Sequence, residues 1–175
     1  MSIRYTISIY TENNVGLLNR ISAIFLKRHI NIISITSSES EITDIFRFII
    51  VVDVDENQII KLIKQIEKQI EVISAFFHTN DEIIYLETAL YKVKSESLFK
   101  ERQIQNIIKE SRANMVTVKP EFFVIEKTGW REETEELYEK LKPYGLMQFV
   151  RSGRIAVSKD SMEISKLLNI KKNYE

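Results

Sequence analysis

The first half of the chain changes its apolar period in a fixed order, and that order narrows the folds open to it. Tyr5, Ile7 and Ile9 alternate with Thr6, Ser8 and Tyr10, which is strand period over residues 5–10. Leu17, Leu18, Ile21, Ile24 and Phe25 then fall on one helical stripe, with Lys27 and Arg28 at its C-terminal end. Residues 30–36 read as a strand, 37–41 as a polar turn, and 44–54 as a long strand rich in β-branched and aromatic residues. Asp55-Glu56-Asn57 caps a second helix with Ile59, Leu62, Ile63, Ile66 and Ile70 on one stripe, and 72–78 is a fourth strand. The order β-α-β-β-α-β is the ferredoxin-like plan.

A polar break at Thr79-Asn80-Asp81-Glu82 ends this unit, and the pattern starts again. Strands are expected over 83–93, 115–118, 122–126, 146–150 and 154–157. Between them lie a helix that starts at Ser95-Glu96-Ser97 and a helix carrying Leu137, Tyr138 and Leu141. The expected fold is therefore α+β, two tandem ferredoxin-like βαββαβ domains over 1–79 and 80–160, with 161–175 a short helix running into a tail. The two halves share a plan but little sequence.

The strand over 44–54 is apolar on both faces. Phe46, Phe48, Ile50 and Val52 make one face; Ile45, Ile49 and Val51, with Arg47 among them, make the other. Helices in this plan cover one face only, so something else must cover the second. The second domain or another copy of the chain would do so, and a homodimer is expected.

Composition removes several function classes. Lys+Arg and Asp+Glu both total 25, so no overall charge draws the chain to nucleic acid or to an anionic membrane. There is no cysteine, which excludes disulfides, a thiol nucleophile and cysteine-ligated metal. The N-terminus lacks a signal-peptide pattern, and the longest apolar run, 48–52, is too short to span a bilayer. A cytoplasmic location is expected. His29 and His78 read as an ordinary helix-end and strand-end histidine, and neither has a neighbour at metal-ligand spacing. The four glycines, at 16, 129, 145 and 153, form neither a P-loop nor a Gly-x-Gly-x-x-Gly run. No nucleophile, proton relay or metal cluster is legible. Sheet-based RNA binding would need a Lys/Arg-Gly-aromatic run in the third strand, and Ile45-Phe46-Arg47-Phe48 has no glycine.

One loop carries chemistry. Asn13-Asn14-Val15-Gly16-Leu17-Leu18 joins the first strand to the first helix. A helix start offers unpaired N–H groups and positive dipole to a carboxylate. Asn13 can donate to a carboxylate or accept from an ammonium. Gly16 permits positive φ and close backbone approach, and Leu17 and Leu18 supply an apolar wall. A zwitterion with a branched aliphatic side chain satisfies all three. The plainer reading of the same spacing is that Asn13 and Asn14 cap the helix and Gly16 eases the turn. Asn31, which opens the second strand, is on spacing alone a turn residue.

Glu12-Asn13-Asn14-Val15-Gly16-Leu17-Leu18-Asn19-Arg20-Ile21, with Phe25, Arg28 and Asn31-Ile32-Ile33-Ser34-Ile35, resembles the opening ACT domain of the small regulatory subunits of acetolactate synthase. Val150-Arg151-Ser152-Gly153 resembles that family's aromatic/Val-x-Arg-Ser-Gly ending, and Pro120 comes after Val118 as in the family. The chain departs from the pattern at His29, where glycine is usual, and at Asn19, where a smaller residue is usual. The resemblance implies an N-terminal ACT domain and no catalytic site on this chain. It implies a homodimer bound to the catalytic (large) subunit of acetolactate synthase, which carries thiamine diphosphate, magnesium and FAD. It implies an effector, valine or another branched-chain amino acid, held by Asn13, Asn14, Val15, Gly16, Leu17 and Leu18 of one chain and by Asn31 and Ile32 of the other. The alternative is a stand-alone ACT sensor serving another enzyme or a transcription circuit.

Overall fold

The computed structural model describes residues 2–100, 102–166 and 168. By chain contacts it divides into two units, Met1–Tyr85 together with Arg154 onward, and Leu86–Gly153. The first unit contains β1 (Ile3–Glu12), α1 (Leu17–Lys27), β2 (Ile32–Glu39), β3 (Ile45–Val54), α2 (Glu56–Ile66) and β4 (Val72–Thr79). Its antiparallel sheet has the order β2-β3-β1-β4, the ferredoxin-like arrangement in which β1 and β3 lie at the centre. α1 and α2 bury Ile21, Phe25, Ile59, Leu62 and Ile66 against Tyr5, Ile7 and Ile9 of β1 and Phe48, Ile50 and Val52 of β3.

The strand β5 (Ile83–Lys94) leaves the first unit and opens the second, which continues through α3 (Ser95–Lys100), α4 (Arg102–Glu110), β6 (Asn114–Val118), β7 (Phe122–Gly129), α5 (Arg131–Leu141) and β8 (Leu146–Arg151). The strand order β6-β7-β5-β8 repeats the first sheet's plan. Ala89, Tyr91, Val93, Phe123 and Ile125 pack under Ile104, Leu137 and Leu141, and the Tyr91 hydroxyl donates to the Thr134 carbonyl at 2.6 Å.

α1 ends on a left-handed residue that is not glycine. His29 has φ 54°, its N–H donates to Leu26 C=O, and Ile30 N–H donates to Phe25 C=O. Both bonds and the buried Phe25–Ile30 pair define a Schellman ending. Arg112, φ 54°, repeats the device after α4 with bonds to Lys109 and Ile108. The missing glycine thus leaves the helix end intact.

Some expectations shift. α2 stops at Ile66, and Ile70, expected on its buried stripe, is 95% exposed, because Gln69 N–H bonds back to Ile66 and the chain turns into β4. β2 runs on to Glu39 through the expected polar turn, since Ser37, Ser38 and Glu39 still pair with β3. β7 likewise extends to Gly129, and α3 and α4 stand where one helix was expected.

The larger difference concerns the chain's end. Residues from 154 were expected in the second domain or in a tail, yet they group with the first unit. Arg154, 3% exposed, donates to Thr6 Oγ1 and Asn80 Oδ1, both at 2.8 Å. The strand β9 (Ile155–Ser158) pairs with β5, and Lys159 N–H reaches Glu82 C=O at 2.9 Å. Leu168 is fully buried with Tyr10 and Ile45, beside Ile164 and Phe76. Part of the sheet's second apolar face is therefore covered by the chain's own C-terminal segment, a source the sequence reading did not include. The part of the expected tail over 169–175 lies outside the described residues.

Two outcomes follow for stability. His29→Gly and Arg112→Gly, which relieve a left-handed non-glycine residue, should each raise unfolding free energy by about 0.5–1 kcal/mol in a denaturant titration. Leu168→Ala should lower it by roughly 2 kcal/mol or more, because it empties a fully buried site.

Candidate functional site

β1 delivers the chain to the turn before α1, and Gly16 makes the turn possible. Its backbone is left-handed, φ 84° and ψ −1°, and a Cβ there would meet no atom within 4 Å. Conformation, not space, therefore asks for glycine. The turn is held by Asn14 N–H to Glu12 C=O at 3.1 Å and Leu17 N–H to Asn14 C=O at 3.3 Å. An ion pair between Arg20 and Glu71, together with Glu12 N–H to Glu71 C=O at 2.9 Å, ties the loop's start and α1's first turn to the approach to β4.

α1 then starts without a side-chain cap and without an acidic residue in its first turn, among the described residues. α2 begins differently. Asp55 Oδ1 accepts from Gln58 N–H at 2.8 Å, Gln58 returns the bond, and Glu56 sits in the first turn. At α5, Glu133 accepts from the Trp130 N–H at 2.7 Å. Asn13 and Asn14 do not cap α1. With the Leu17 N–H bonded to Asn14 C=O, the N–H groups of Leu18 and Asn19 and their share of the helix dipole are left for something other than a side-chain cap.

A hollow of about 200 Å³ lies at this helix start, lined by Asn13, Asn14, Gly16, Leu17 and Leu18, with Ser37 of β2 and Phe46 and Phe48 of β3. Five of the eight expected contacts come together there. Val15 is fully exposed and outside the lining. Asn31 and Ile32 lie at the other end of β2: Ile32 pairs with Val52, whereas Ser37 pairs with Phe48 beside the hollow. Asn19, the family departure nearest the loop, does not line it either. Phe46 and Phe48, which the sequence places on one apolar face of their strand, are missing from the expected contacts although they line the hollow. The signal was present in the period of β3, which puts both rings on the helix side. The hollow is lined by the helix start, by Asn13 and Asn14, by Glu12, whose carboxylate accepts from the Asn14 amide at 3.3 Å, and by two aromatic residues, a set suited to a small zwitterion with an apolar body.

The Arg151-Ser152-Gly153 run serves the second unit. Ser152 N–H donates to Thr88 C=O at 2.8 Å, and Thr88 N–H donates to Ser152 Oγ at 2.9 Å. The Arg151 guanidinium lies 5.0 Å from the Phe149 ring centroid, 3.7 Å from the buried Glu87 carboxylate and 2.5 Å from Glu135. Its hydrogen bond holds the Glu135 carboxyl below the usual carboxylate range. This motif clamps β8 to β5 and supplies the counter-charge that a buried glutamate requires.

Among the described residues, no helix is long and apolar enough to cross a membrane. Residues 86–160 match the family described as the small subunit of acetolactate synthase, and residues 5–71 match the ACT domain family. The acetolactate synthase small subunit of Bacillus subtilis (strain 168) is 38% identical over 158 residues, 90% of this chain and 91% of that protein. That of Mycolicibacterium smegmatis is 34% identical over 155 residues, 89% of this chain and 91% of that protein. The crystal structure of the acetolactate synthase small subunit from Thermotoga maritima superposes with a TM-score of 0.82 at 26% identity, covering 91% of this chain and 99% of that one. On both its ACT domain and its C-terminal half, this chain belongs to the family of acetolactate synthase small subunits.

Proposed function

We propose that this chain is a regulatory subunit that binds the thiamine-diphosphate-dependent catalytic subunit of acetolactate synthase, raises its activity and makes it responsive to valine or another branched-chain amino acid. One observation carries the effector part of this reading: an uncapped helix start, opened by a left-handed Gly16, facing an apolar hollow in a chain of this family. The amino acid's carboxylate meets the first-turn N–H groups of α1 and the Asn13 amide. Its ammonium lies toward Glu12, and its branched side chain rests on Leu17, Phe46 and Phe48. Catalysis, with thiamine diphosphate, magnesium and FAD, belongs to the partner subunit, in the cytoplasm.

The homodimer reading draws on the sheet's edge. β2 is the outermost strand beside β3, and an open edge invites a further strand. A two-fold axis perpendicular to the sheet at that edge pairs two β2 strands antiparallel. The start of one β2, at Asn31 and Ile32, then falls beside the end of the other, near Ser37 and the hollow. This arrangement supports an effector held by both chains, with the Asn13–Leu18 loop from one and Asn31–Ile32 from the other. A ligand shared this way favours the arrangement that completes its site. It shifts the catalytic partner only by its differential affinity for the two arrangements. A coupling of about 1–3 kcal/mol corresponds to 5- to 150-fold effects.

By calorimetry, Asn13→Ala should weaken valine binding roughly tenfold or more, since a hydrogen bond to a charged group contributes about 1.5–3 kcal/mol. Gly16→Asp, which adds strain and a like charge beside the carboxylate, should abolish binding and release the reconstituted holoenzyme from valine inhibition while leaving activation intact. Wild-type affinity in Gly16→Asp would refute the site. In sedimentation, Ile35→Lys, which places lysine on the open β2 edge, should convert dimer to monomer; an unchanged dimer would move the interface elsewhere.

A further inference from the structure

The helix-free face of the first sheet holds a second cavity, of about 240 Å³, apart from the hollow at Gly16. β1, β3 and β4 form its floor, through residues such as Tyr10, Arg47 and Phe76. β9 and the segment after it form its roof, through Ala156, Met162 and Ile164. The roof is anchored on both sides. Arg154 bonds to Thr6 and Asn80, Lys159 Nζ donates to the Asp81 carbonyl at 2.7 Å, and Leu168 is fully buried. The space is therefore built into the unit rather than left by a loose loop. Interiors close-pack, and voids much larger than a water molecule are few.

The lining carries charges of both signs beside apolar groups. Arg47 lies next to the Tyr10 hydroxyl, whose pKa burial pushes up. Its Nε is buried and has no hydrogen-bond partner among the described residues. Arg47 lines the cavity, and a carboxylate matches the guanidinium fork. Glu41 offers a carboxylate at the exposed side. Phe76, Ile83, Met162 and Ile164 supply apolar contact between them. The volume is small beside the roughly 300–1,000 Å³ of pockets for drug-sized molecules.

We infer that this cavity is a second amino-acid site, contained within one chain. It takes a small amino acid with an apolar side chain, its carboxylate on Arg47, its ammonium toward Glu41 and its side chain among Phe76, Ile83, Met162 and Ile164. The inference does not rest on the hollow at Gly16, and one experiment separates the two. Full-length protein carrying Gly16→Asp is titrated with methyl-labelled L-leucine and followed by NMR, with Arg47→Gln and Ala156→Leu added in turn. The first removes the carboxylate's partner; the second fills the space from the roof. Thermal melts of each variant confirm that the chain still folds, and Arg47→Lys, which keeps the charge, retains part of the binding.

The expected result is saturable binding in the Gly16→Asp chain, weakened roughly tenfold or more by either added substitution. Isoamylamine, which lacks the carboxylate, should not compete, and isocaproate, which lacks the ammonium, should compete only weakly. Absence of saturation by about 10 mM leucine, or binding that neither Arg47→Gln nor Ala156→Leu alters, overturns the proposal. Isocaproate binding as tightly as leucine overturns the amino-acid assignment. Binding that vanishes with Gly16→Asp alone also overturns it, while leaving the hollow at Gly16 as an amino-acid site.

Discussion

The geometry of the candidate site depends on the backbone at Gly16. A left-handed residue there, φ 84°, turns the chain from β1 into α1 within a few residues. The helix then opens with no side chain over its first N–H groups. An alanine would find room but not the conformation, at a cost of about 1–2 kcal/mol. The same turn sets Leu17 and Leu18 beside Phe46 and Phe48. The uncapped helix start and the apolar lining beside it thus come from one backbone feature.

The second constraint is the sheet's two apolar faces. One face is buried by α1 and α2. On the other, Ile164 and Leu168 pack with Tyr10, Ile45 and Phe76, and Arg154 fixes the start of that segment through Thr6 and Asn80. The C-terminal segment does not fill the whole face; it leaves the cavity beside Arg47. A covering assembled from short pieces leaves gaps where a continuous helix would not.

The alternation of Tyr5, Ile7 and Ile9 and the stripe from Leu17 to Phe25 made the first unit legible, because periodicity records which face is buried. The same reasoning singled out the loop over 13–18 as a candidate site, and the family resemblance suggested what it would hold. What stayed hidden has physical causes. Asn13 and Asn14 suit a cap as well as a ligand, and only the geometry shows that they leave α1 uncapped. Phe46 and Phe48 can line both a core and a hollow. The assignment of residues from 154 onward depends on Arg154 reaching Thr6, a contact 148 positions apart that no local pattern encodes. Ile70 failed because a turn bond from Gln69 to Ile66 ended α2 before the stripe did. Asn31 and Ile32 lie away from the hollow of their own chain, so their part in a site rests on a second copy at the β2 edge.

A crystal structure of the full chain grown with saturating L-valine bears most directly on the claim that the β1-to-α1 turn is an effector site. The account predicts density for the amino acid in the hollow, its carboxylate on the first-turn N–H groups of α1 and on Asn13, with Asn31 and Ile32 of a second copy closing it. A hollow that remains empty or fills with side chains, in crystals where valine is bound elsewhere, would contradict it.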